Sequence, residues 1–287
     1  MSNSEQDFEQ HLGSYGIFEK QGNVGVLLIH GITGSPSEMK PLARMLISAG
    51  YTVASPQLAG HCSSLKELKK VSWNDWYLSV VAGFRYLKTH CDVVMVSGLS
   101  MGALLALKLA ADFPNDVAGV ATMSATFFYD GWNVSPWKQR FLLPLVVYSP
   151  LRYFLSYKEP PPYGIKDERT RRLIAMVYNN NSGRMPEKYG YSEFPAVTIR
   201  ETVELIKAAK KSLPKVTAPL LILHAAEDDM ASVKNAEYLA ENVGSRWIER
   251  YYLEDTYHVL TLDRRKEDVG RLVEKFISTW GGIAERR

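Results

Sequence analysis

A serine between a strand-like run and a helix-like run is the feature that most constrains how this chain folds. The run is VVMVSGLSMGALLALKLA, residues 93–110. Its valine-rich start favours a buried strand, and its end, rich in alanine and leucine, favours a helix. Gly98 and Gly102 flank Ser100 with one residue between on each side. This Gly-x-Ser-x-Gly pattern predicts a sharp strand-to-helix turn that holds the serine hydroxyl above the carboxyl edge of a sheet.

The same strand-to-helix order recurs through most of the sequence. Short apolar runs separated by helical patterns predict parallel strands joined by crossover helices, with helices on both faces of the sheet. The predicted strands are VGVLLIH (24–30), YTVASPQ (51–57), DVVMVSG (92–98), DVAGVATMSA (116–125) and, later, APLLILHAAEDD (218–229) and RWIERYYLED (246–255). We therefore predict an α/β protein with a mostly parallel central sheet.

The alternation of strands and helices stops near residue 125, where the composition changes. Residues 127–164 contain 11 aromatic residues and six of the chain's 14 prolines. Two helical patterns follow before the strand-helix order resumes at the run APLLILHAAEDD. We expect residues 126–215 to form a mostly helical cap, inserted into one α/β core made of residues 1–125 and 216–287.

Composition and charge exclude several classes of function. The net charge is +3, and basic and acidic residues are mixed along the chain, so nucleic acid is not an expected partner. The polar start and the lack of a long apolar run predict neither a signal peptide nor stable membrane insertion, and a cytoplasmic location is expected. Cys62 and Cys91 are too few for a disulfide framework and lack metal-ligand spacing. Composition leaves the oligomeric state open.

A serine hydroxyl becomes a useful nucleophile only when a base takes its proton, and that base is most often a histidine oriented by a carboxylate. In this strand-turn-helix context the acid follows the serine and the histidine follows the acid. Only His224 and His258 come after Ser100. His224 precedes the acidic cluster, whereas His258 lies in the loop EDTYHVLTLDRR after the last strand. We predict His258 as the base.

The acid should lie on the loop after the strand APLLILH, where three carboxylates follow one another. These are Glu227, Asp228 and Asp229. Spacing alone does not choose among them. Asp255 lies close to His258 in sequence, which makes it a poor partner for the ring.

Two backbone amides are candidate donors to a developing oxyanion. The Met101 N–H follows the serine directly at the predicted start of the helix. The second donor is expected from the loop HGITGSPSEM, where the Ile32 N–H follows Gly31. This chemistry needs no metal and no cofactor, and none is expected.

Four motifs in this order resemble the α/β-hydrolase superfamily, and more narrowly its bacterial carboxylesterase and monoacylglycerol-lipase-like group. They are LLIHGITGSPSEM, SGLSMGALLAL, APLLILHAAEDD and DTYHVLTLDRRKEDV, spread over residues 24–280. The resemblance covers nearly all of the predicted core and little of the insertion. It implies Ser100 as nucleophile and His258 as base, with oxyanion donors at the Ile32 and Met101 amides.

The same resemblance implies Asp228 as the acid. The group usually carries Gly-x-x-Asp-x-x-Val after the strand, and Asp228 occupies the aspartate position of that pattern. In this chain Ala225 and Ala231 replace the glycine and the valine.

The resemblance also implies that the insertion covers the serine, so its aromatic residues bear on the substrate. Phe127, Trp132 and Trp137 are our candidates for an apolar acyl-binding pocket, although packing of the cap onto the core is the other interpretation of such rings. We predict a serine carboxylic-ester hydrolase that acts through an acyl-enzyme on small esters with an apolar acyl or aryl group. The alternatives are a thioesterase or monoacylglycerol lipase with the same triad, and a ligand-binding homologue without catalysis.

Overall fold

The computed structural model describes residues 12–135, 137–179 and 186–284 and contains a seven-stranded sheet. Its strands lie in the order β1-β3-β2-β4-β5-β8-β9, and all neighbours are parallel except β1 and β3. Their bounds are β1 Ile17–Glu19, β2 Val24–Ile29, β3 Thr52–Ser55, β4 Val93–Leu99, β5 Val117–Met123, β8 Leu220–Ala225 and β9 Ile248–Leu253. Strands β6 (Ser156–Lys158) and β7 (Glu193–Pro195) form a separate antiparallel pair. The predicted mostly parallel α/β architecture is confirmed.

Helices surround the sheet and fill the stretch between β5 and β8. Their bounds are α1 Lys40–Ser48, α2 Leu65–Leu68, α3 Trp73–Lys88, α4 Met101–Asp112, α5 Leu143–Val147, α6 Glu168–Asn179, α7 Pro186–Tyr189, α8 Ala196–Ser212, α9 Lys234–Asn242 and α10 Lys266–Ala284. Short 3-10 helices span Pro36–Met39, Pro150–Tyr153 and Leu213–Lys215, and a π-helix spans Lys138–Leu142. In the described part of the chain, no helix combines the length and the apolar character needed to cross a membrane.

The apolar core lies on both faces of the sheet. Side chains alternate across a strand, so Leu27 and Ile29 of β2 belong to one cluster and Leu28 to the other. Helices α3 and α4 cover the first face, and α1 and α10 cover the second. Because both faces are covered, the central strands are continuous apolar runs rather than alternating ones.

The stretch from β5 to β8 holds the helices α5 to α8 and the β6–β7 pair. Within it, α8 packs against α4 and contributes Leu205 and Ala209 to the core cluster on that face. The division into a core and a cap of residues 126–215 stays a prediction, and the proposed cap includes one helix that also packs on the core.

Candidate active site

Ser100 lies in the sharp turn that joins β4 to α4. Its backbone has φ 55° and ψ −116°, a strained conformation for a residue with a side chain. A Cβ at Gly98 would lie 2.2 Å from the Gly102 carbonyl oxygen, and a Cβ at Gly102 would lie 2.2 Å from the carbonyl oxygen of Ile29. The turn therefore requires glycine at both flanking positions. The Ser100 N–H donates to the Met123 carbonyl at 2.8 Å, which ties the turn to β5.

His258 approaches Ser100 from the loop after β9. Its Nε2 lies 2.9 Å from Ser100 Oγ, and its Nδ1 lies 2.9 Å from each carboxylate oxygen of Asp228. All three side chains are buried. The strands β4, β8 and β9 are parallel, so the loops that follow them meet at one edge of the sheet. This arrangement brings together a hydroxyl, an imidazole and a carboxylate in hydrogen-bonding order.

The Asp228 carboxylate is held by backbone donors of its own loop. Its Oδ1 accepts the N–H groups of Met230 and Ala231 at 2.9 and 2.8 Å. Burial by itself raises the pKa of Asp228, but His258 and these hydrogen bonds outweigh it and hold the pKa below its ordinary value. Burial likewise lowers the pKa of His258, and the nearby carboxylates more than reverse this, so its pKa lies above the ordinary value. The pair is arranged to stabilise an imidazolium.

Asp229 and Glu227, the other two carboxylates of the cluster, point elsewhere. Asp229 accepts the backbone N–H of His258 at 3.4 Å and that of Gly164 at 3.1 Å, and burial raises its pKa. Glu227 pairs with Lys166 on the surface, with Oε1 2.8 Å from Nζ. Of the three candidate acids, only Asp228 contacts the ring of His258 within the described residues.

His224 and His30 are buried and hydrogen-bonded to the backbone. His224 Nε2 lies 2.7 Å from the Ala231 carbonyl, so a ring N–H at this nitrogen donates to it, and burial lowers the pKa of the ring. His30 Nε2 accepts the Leu58 N–H at 3.3 Å, which leaves its Nδ1–H to donate to the Gly31 carbonyl at 2.9 Å. Both rings act as structural links between loops.

The two predicted oxyanion donors are the residue that follows Ser100 and a residue that lines the same cavity. Met101 is the first residue of α4, and the first N–H groups of a helix have no partner within the helix. Ile32 lies in the loop after β2 and lines the same cavity as Ser100. Their role as donors stays a prediction.

A cavity of about 670 Å³ opens beside Ser100 and His258. Helix α6 provides much of its apolar wall, with Leu173, Ile174, Met176 and Val177. Its remaining apolar lining includes Leu99, Phe194, Met230, Val259 and Leu262. The cavity is large enough for an acyl chain next to the serine hydroxyl.

The aromatic residues predicted to bind substrate are not part of this lining. Phe127 is buried and its ring packs on Tyr238 at 5.3 Å. Trp132 is exposed and its Nε1–H donates to the Glu227 carbonyl at 3.0 Å. Trp137 is also exposed, on the outer surface. None of the three lines the cavity beside Ser100, and their role as substrate contacts stays a prediction.

Two half-buried carboxyl groups line the cavity near the histidine and were not singled out in the sequence. Glu38 Oε2 accepts the Gly31 N–H at 3.2 Å, and burial raises the pKa of Glu38 to about 7. Burial and the nearby Asp229 raise the pKa of Glu159 to about 8. These groups add two carboxyls to the lining of a largely apolar cavity. Nothing in their local sequence marks them, since Glu38 is a single acid in the short 3-10 helix Pro36–Met39 and Glu159 is a single acid after β6.

Asp263 joins the histidine loop to the chain before α6. Its carboxylate is fully buried and accepts four hydrogen bonds. Oδ2 accepts the Tyr257 N–H at 2.7 Å, the Lys166 N–H at 2.9 Å and the Thr256 hydroxyl at 3.0 Å. Oδ1 accepts the Asp167 N–H at 2.7 Å. The loop that carries the imidazole is therefore fixed to the segment that leads into the cavity wall.

Comparison with known proteins agrees with this fold. Residues 23–265 match the Hydrolase_4 family, described as "Serine aminopeptidase, S33". A thermostable monoacylglycerol lipase from Bacillus sp. (strain H-257) is 29% identical over 251 residues, 88% of this chain and 89% of that protein. A carboxylesterase from Bacillus subtilis (strain 168) is 26% identical over 259 residues, 90% of this chain and 94% of that protein.

Solved structures of lipolytic enzymes also resemble this chain. One reported for LipS and LipT, two metagenome-derived lipolytic enzymes, has a TM-score of 0.78 at 30% identity and covers 93% of this chain and 98% of its own. The monoacylglycerol lipase of Paleococcus ferrophilus has a TM-score of 0.76 at 17% identity and covers 92% of this chain and 98% of its own. This similarity shows a shared fold. The chain therefore belongs to the Hydrolase_4 family of α/β-hydrolases and is a serine ester hydrolase.

Proposed function

We propose that this chain hydrolyses esters that join an apolar acyl chain to a small hydroxylated alcohol, as in a monoacylglycerol, with Ser100 as nucleophile, His258 as base and Asp228 as acid. The observation that carries the proposal is the 2.9 Å contact between His258 Nε2 and Ser100 Oγ, with Asp228 at 2.9 Å from Nδ1. Proton transfer between positioned groups requires this hydrogen-bond reach.

In the first step Ser100 Oγ attacks the ester carbonyl carbon while His258 Nε2 takes the hydroxyl proton. The resulting imidazolium donates its Nδ1–H to Asp228. The carbonyl oxygen becomes an oxyanion, which the amides of Ile32 and Met101 stabilise. The tetrahedral intermediate then collapses, the C–O bond to the alcohol breaks, and His258 gives its proton to the leaving alcohol.

The second step repeats this chemistry with water. His258 takes a proton from water, and the resulting hydroxide equivalent attacks the acyl-enzyme carbonyl. Collapse of the second intermediate breaks the bond to Ser100 Oγ, which recovers a proton from His258. One ester and one water give one acid and one alcohol, and no redox step is involved.

The lining of the cavity supports the proposed substrate class. The wall formed by α6 is apolar and suits an acyl chain, while Glu38 and Glu159 offer hydrogen-bonding groups to hydroxyls of the alcohol. The similarity to a monoacylglycerol lipase supports the same assignment. The expectation of a cytoplasmic location remains a prediction from the sequence.

The test compares substrates on the wild-type chain and on Ser100→Ala. The panel contains p-nitrophenyl esters of increasing chain length, monoacylglycerols, an acyl-CoA and an amino-acid p-nitroanilide. We expect the highest kcat/KM on the two oxygen-ester classes, and a loss of about 10⁶ in kcat for Ser100→Ala. Ser278→Ala, an exposed serine on α10, is the matched control and should behave as wild type.

A second variant tests the alcohol side. Glu159→Ala should raise KM for a monoacylglycerol about tenfold relative to a p-nitrophenyl ester of the same acyl chain, since a buried hydrogen bond to the alcohol is lost. Glu193→Ala, on β7 and outside the cavity lining, is the control. A higher kcat/KM on acyl-CoA would favour the thioesterase alternative, and no turnover of any substrate would favour a ligand-binding homologue.

A further inference from the structure

Exposed apolar side chains are concentrated in one short stretch, residues 137–157, which covers the π-helix, α5, the following 3-10 helix and most of β6. Among them are Trp137, Phe141, Leu145, Tyr153 and Phe154, and Phe154 is 82% exposed. Soluble proteins rarely leave so many large apolar groups together in water, and such patches mark interaction sites. We call this stretch the 137–157 surface.

The insertion that contains this surface is basic, whereas the rest of the chain is slightly acidic. Residues 126–215 carry 15 Lys and Arg against 8 Asp and Glu, and all other residues carry 19 against 23. Arg140 and Lys158 are exposed, and neither forms an ion pair with any residue that the structure describes. The guanidinium of Arg152 lies 4.6 Å from the centre of the Tyr153 ring. Positively charged side chains therefore lie among the exposed aromatic rings.

The 137–157 surface is continuous with the cavity beside Ser100. Tyr157 on β6 is exposed, and its ring lies 6.3 Å from that of Phe194, which lines the cavity. Leu173 and Met176 of α6 are both exposed and part of the lining. Exposed apolar side chains therefore border the cavity that contains the serine.

We propose that the 137–157 surface docks this chain reversibly on an anionic phospholipid bilayer. Apolar and aromatic side chains enter the interface between headgroups and acyl chains, where Trp and Tyr are favoured, and the basic side chains contact the acidic headgroups. Charge complementarity favours this partner over a second copy of the chain, because two such surfaces would bring like charges together. The contact does not require hydrolysis, so it stands apart from the proposed function.

The test is co-sedimentation of the full chain with vesicles, using Ser100→Ala so that no lipid is cleaved. Vesicles of phosphatidylcholine are compared with vesicles that also contain phosphatidylglycerol. We expect partitioning at least about tenfold stronger on the anionic vesicles, weakening as salt is added. Two double variants, Leu145→Ser/Phe154→Ser and Arg140→Glu/Lys158→Glu, should each reduce it about tenfold or more.

Matched controls lie outside this region. Leu78→Ser on α3 removes an exposed apolar group, and Lys66→Glu on α2 reverses an exposed charge. Both should bind anionic vesicles like the parent. With Ser100 restored, all variants should keep wild-type rates on a water-soluble short-chain ester, which shows that they fold. Absence of vesicle binding, equal binding by the surface variants, or a cap-dependent dimer that these variants dissociate would each overturn the proposal.

Discussion

Asp228 and Asp229 are adjacent in sequence but engage His258 in different ways. The carboxylate of Asp228 lies 2.9 Å from the ring Nδ1, while Asp229 accepts the backbone N–H of the same histidine at 3.4 Å. The first contact orients the imidazole and stabilises its charged form. The second holds the loop that carries it. The two carboxylates should therefore differ sharply in mutational effect.

Asp228→Asn should lower kcat by about 10⁴, because the amide no longer stabilises the imidazolium and favours the wrong tautomer. Asp229→Asn should lower it by no more than about 10², the cost of a small displacement of the base. Steady-state kinetics on a p-nitrophenyl ester, with a thermal melt to verify folding, measures both. A larger loss of kcat for Asp229→Asn than for Asp228→Asn would show that Asp229, and not Asp228, is the acid.

The pH dependence of kcat/KM should show an acid limb set by His258, because only the neutral ring accepts the serine proton. Burial lowers the pKa of this ring, but the charges of Asp228, Asp229 and Glu159 raise it above 6.5. Activity should therefore rise with pH through a midpoint above 6.5. Asp229→Asn removes one negative charge, so its midpoint should move to lower pH.

Glu227→Gln is the control for that shift, since its carboxylate faces solvent and pairs with Lys166. Its midpoint should match that of the wild type. A midpoint that is unchanged or raised in Asp229→Asn would show that this carboxylate does not act on the ring.

The glycines of the serine turn should tolerate no side chain. A Cβ at Gly102 would lie 2.2 Å from the Ile29 carbonyl oxygen, and backbone cannot move aside cheaply. Gly102→Ala should lower the free energy of unfolding by about 3 kcal/mol. Gly282→Ala, on α10 with no atom within 4 Å of a new Cβ, should instead raise it by about 0.5–1 kcal/mol. Urea titration followed by circular dichroism compares the two, and equal effects would contradict the steric argument.

Asp263 should act as a positioning residue for the histidine loop. Asp263→Ala leaves four donors without their acceptor, so the free energy of unfolding should fall by about 3 kcal/mol. We also expect kcat to fall more than KM rises, because the loop that holds the base loses its anchor. Asp263→Asn keeps an oxygen acceptor and should recover part of both losses.

Asp255→Asn, in the same loop, changes only exposed ion pairs with Arg264 and Lys166 and should leave the free energy of unfolding nearly unchanged. A rise in KM alone for Asp263→Ala would point to a role in the cavity wall rather than in the placement of the base.

The sheet and two of the three proposed triad residues could be predicted from local pattern. The turn around Ser100 carries its own steric signature, and chain order leaves His258 as the histidine that follows the acidic loop. The choice between Asp228 and Asp229 could not be made from spacing, because neighbouring side chains in a loop diverge according to its backbone path. The family resemblance selected Asp228.

The cavity wall was harder to predict. Helix α6 derives from the charged run KDERTRRLIAMVYNN, and only its folded position shows that Leu173 and Ile174 face the cavity. The aromatic-rich segment before it suggested Phe127, Trp132 and Trp137 as substrate contacts, but composition says how apolar a segment is and not where each ring points. Two of the four hydrogen bonds to Asp263 come from Lys166 and Asp167, about a hundred residues earlier in the chain, and left no local signal.

The most direct measurement is reaction of the wild-type chain with a fluorophosphonate, followed by mass spectrometry of the modified peptide. Activation of Ser100 by His258 predicts one phosphonyl group, bound at Ser100, and no labelling of His258→Ala on the same timescale. Modification of another residue, or wild-type ester turnover by Ser100→Ala, would contradict the account.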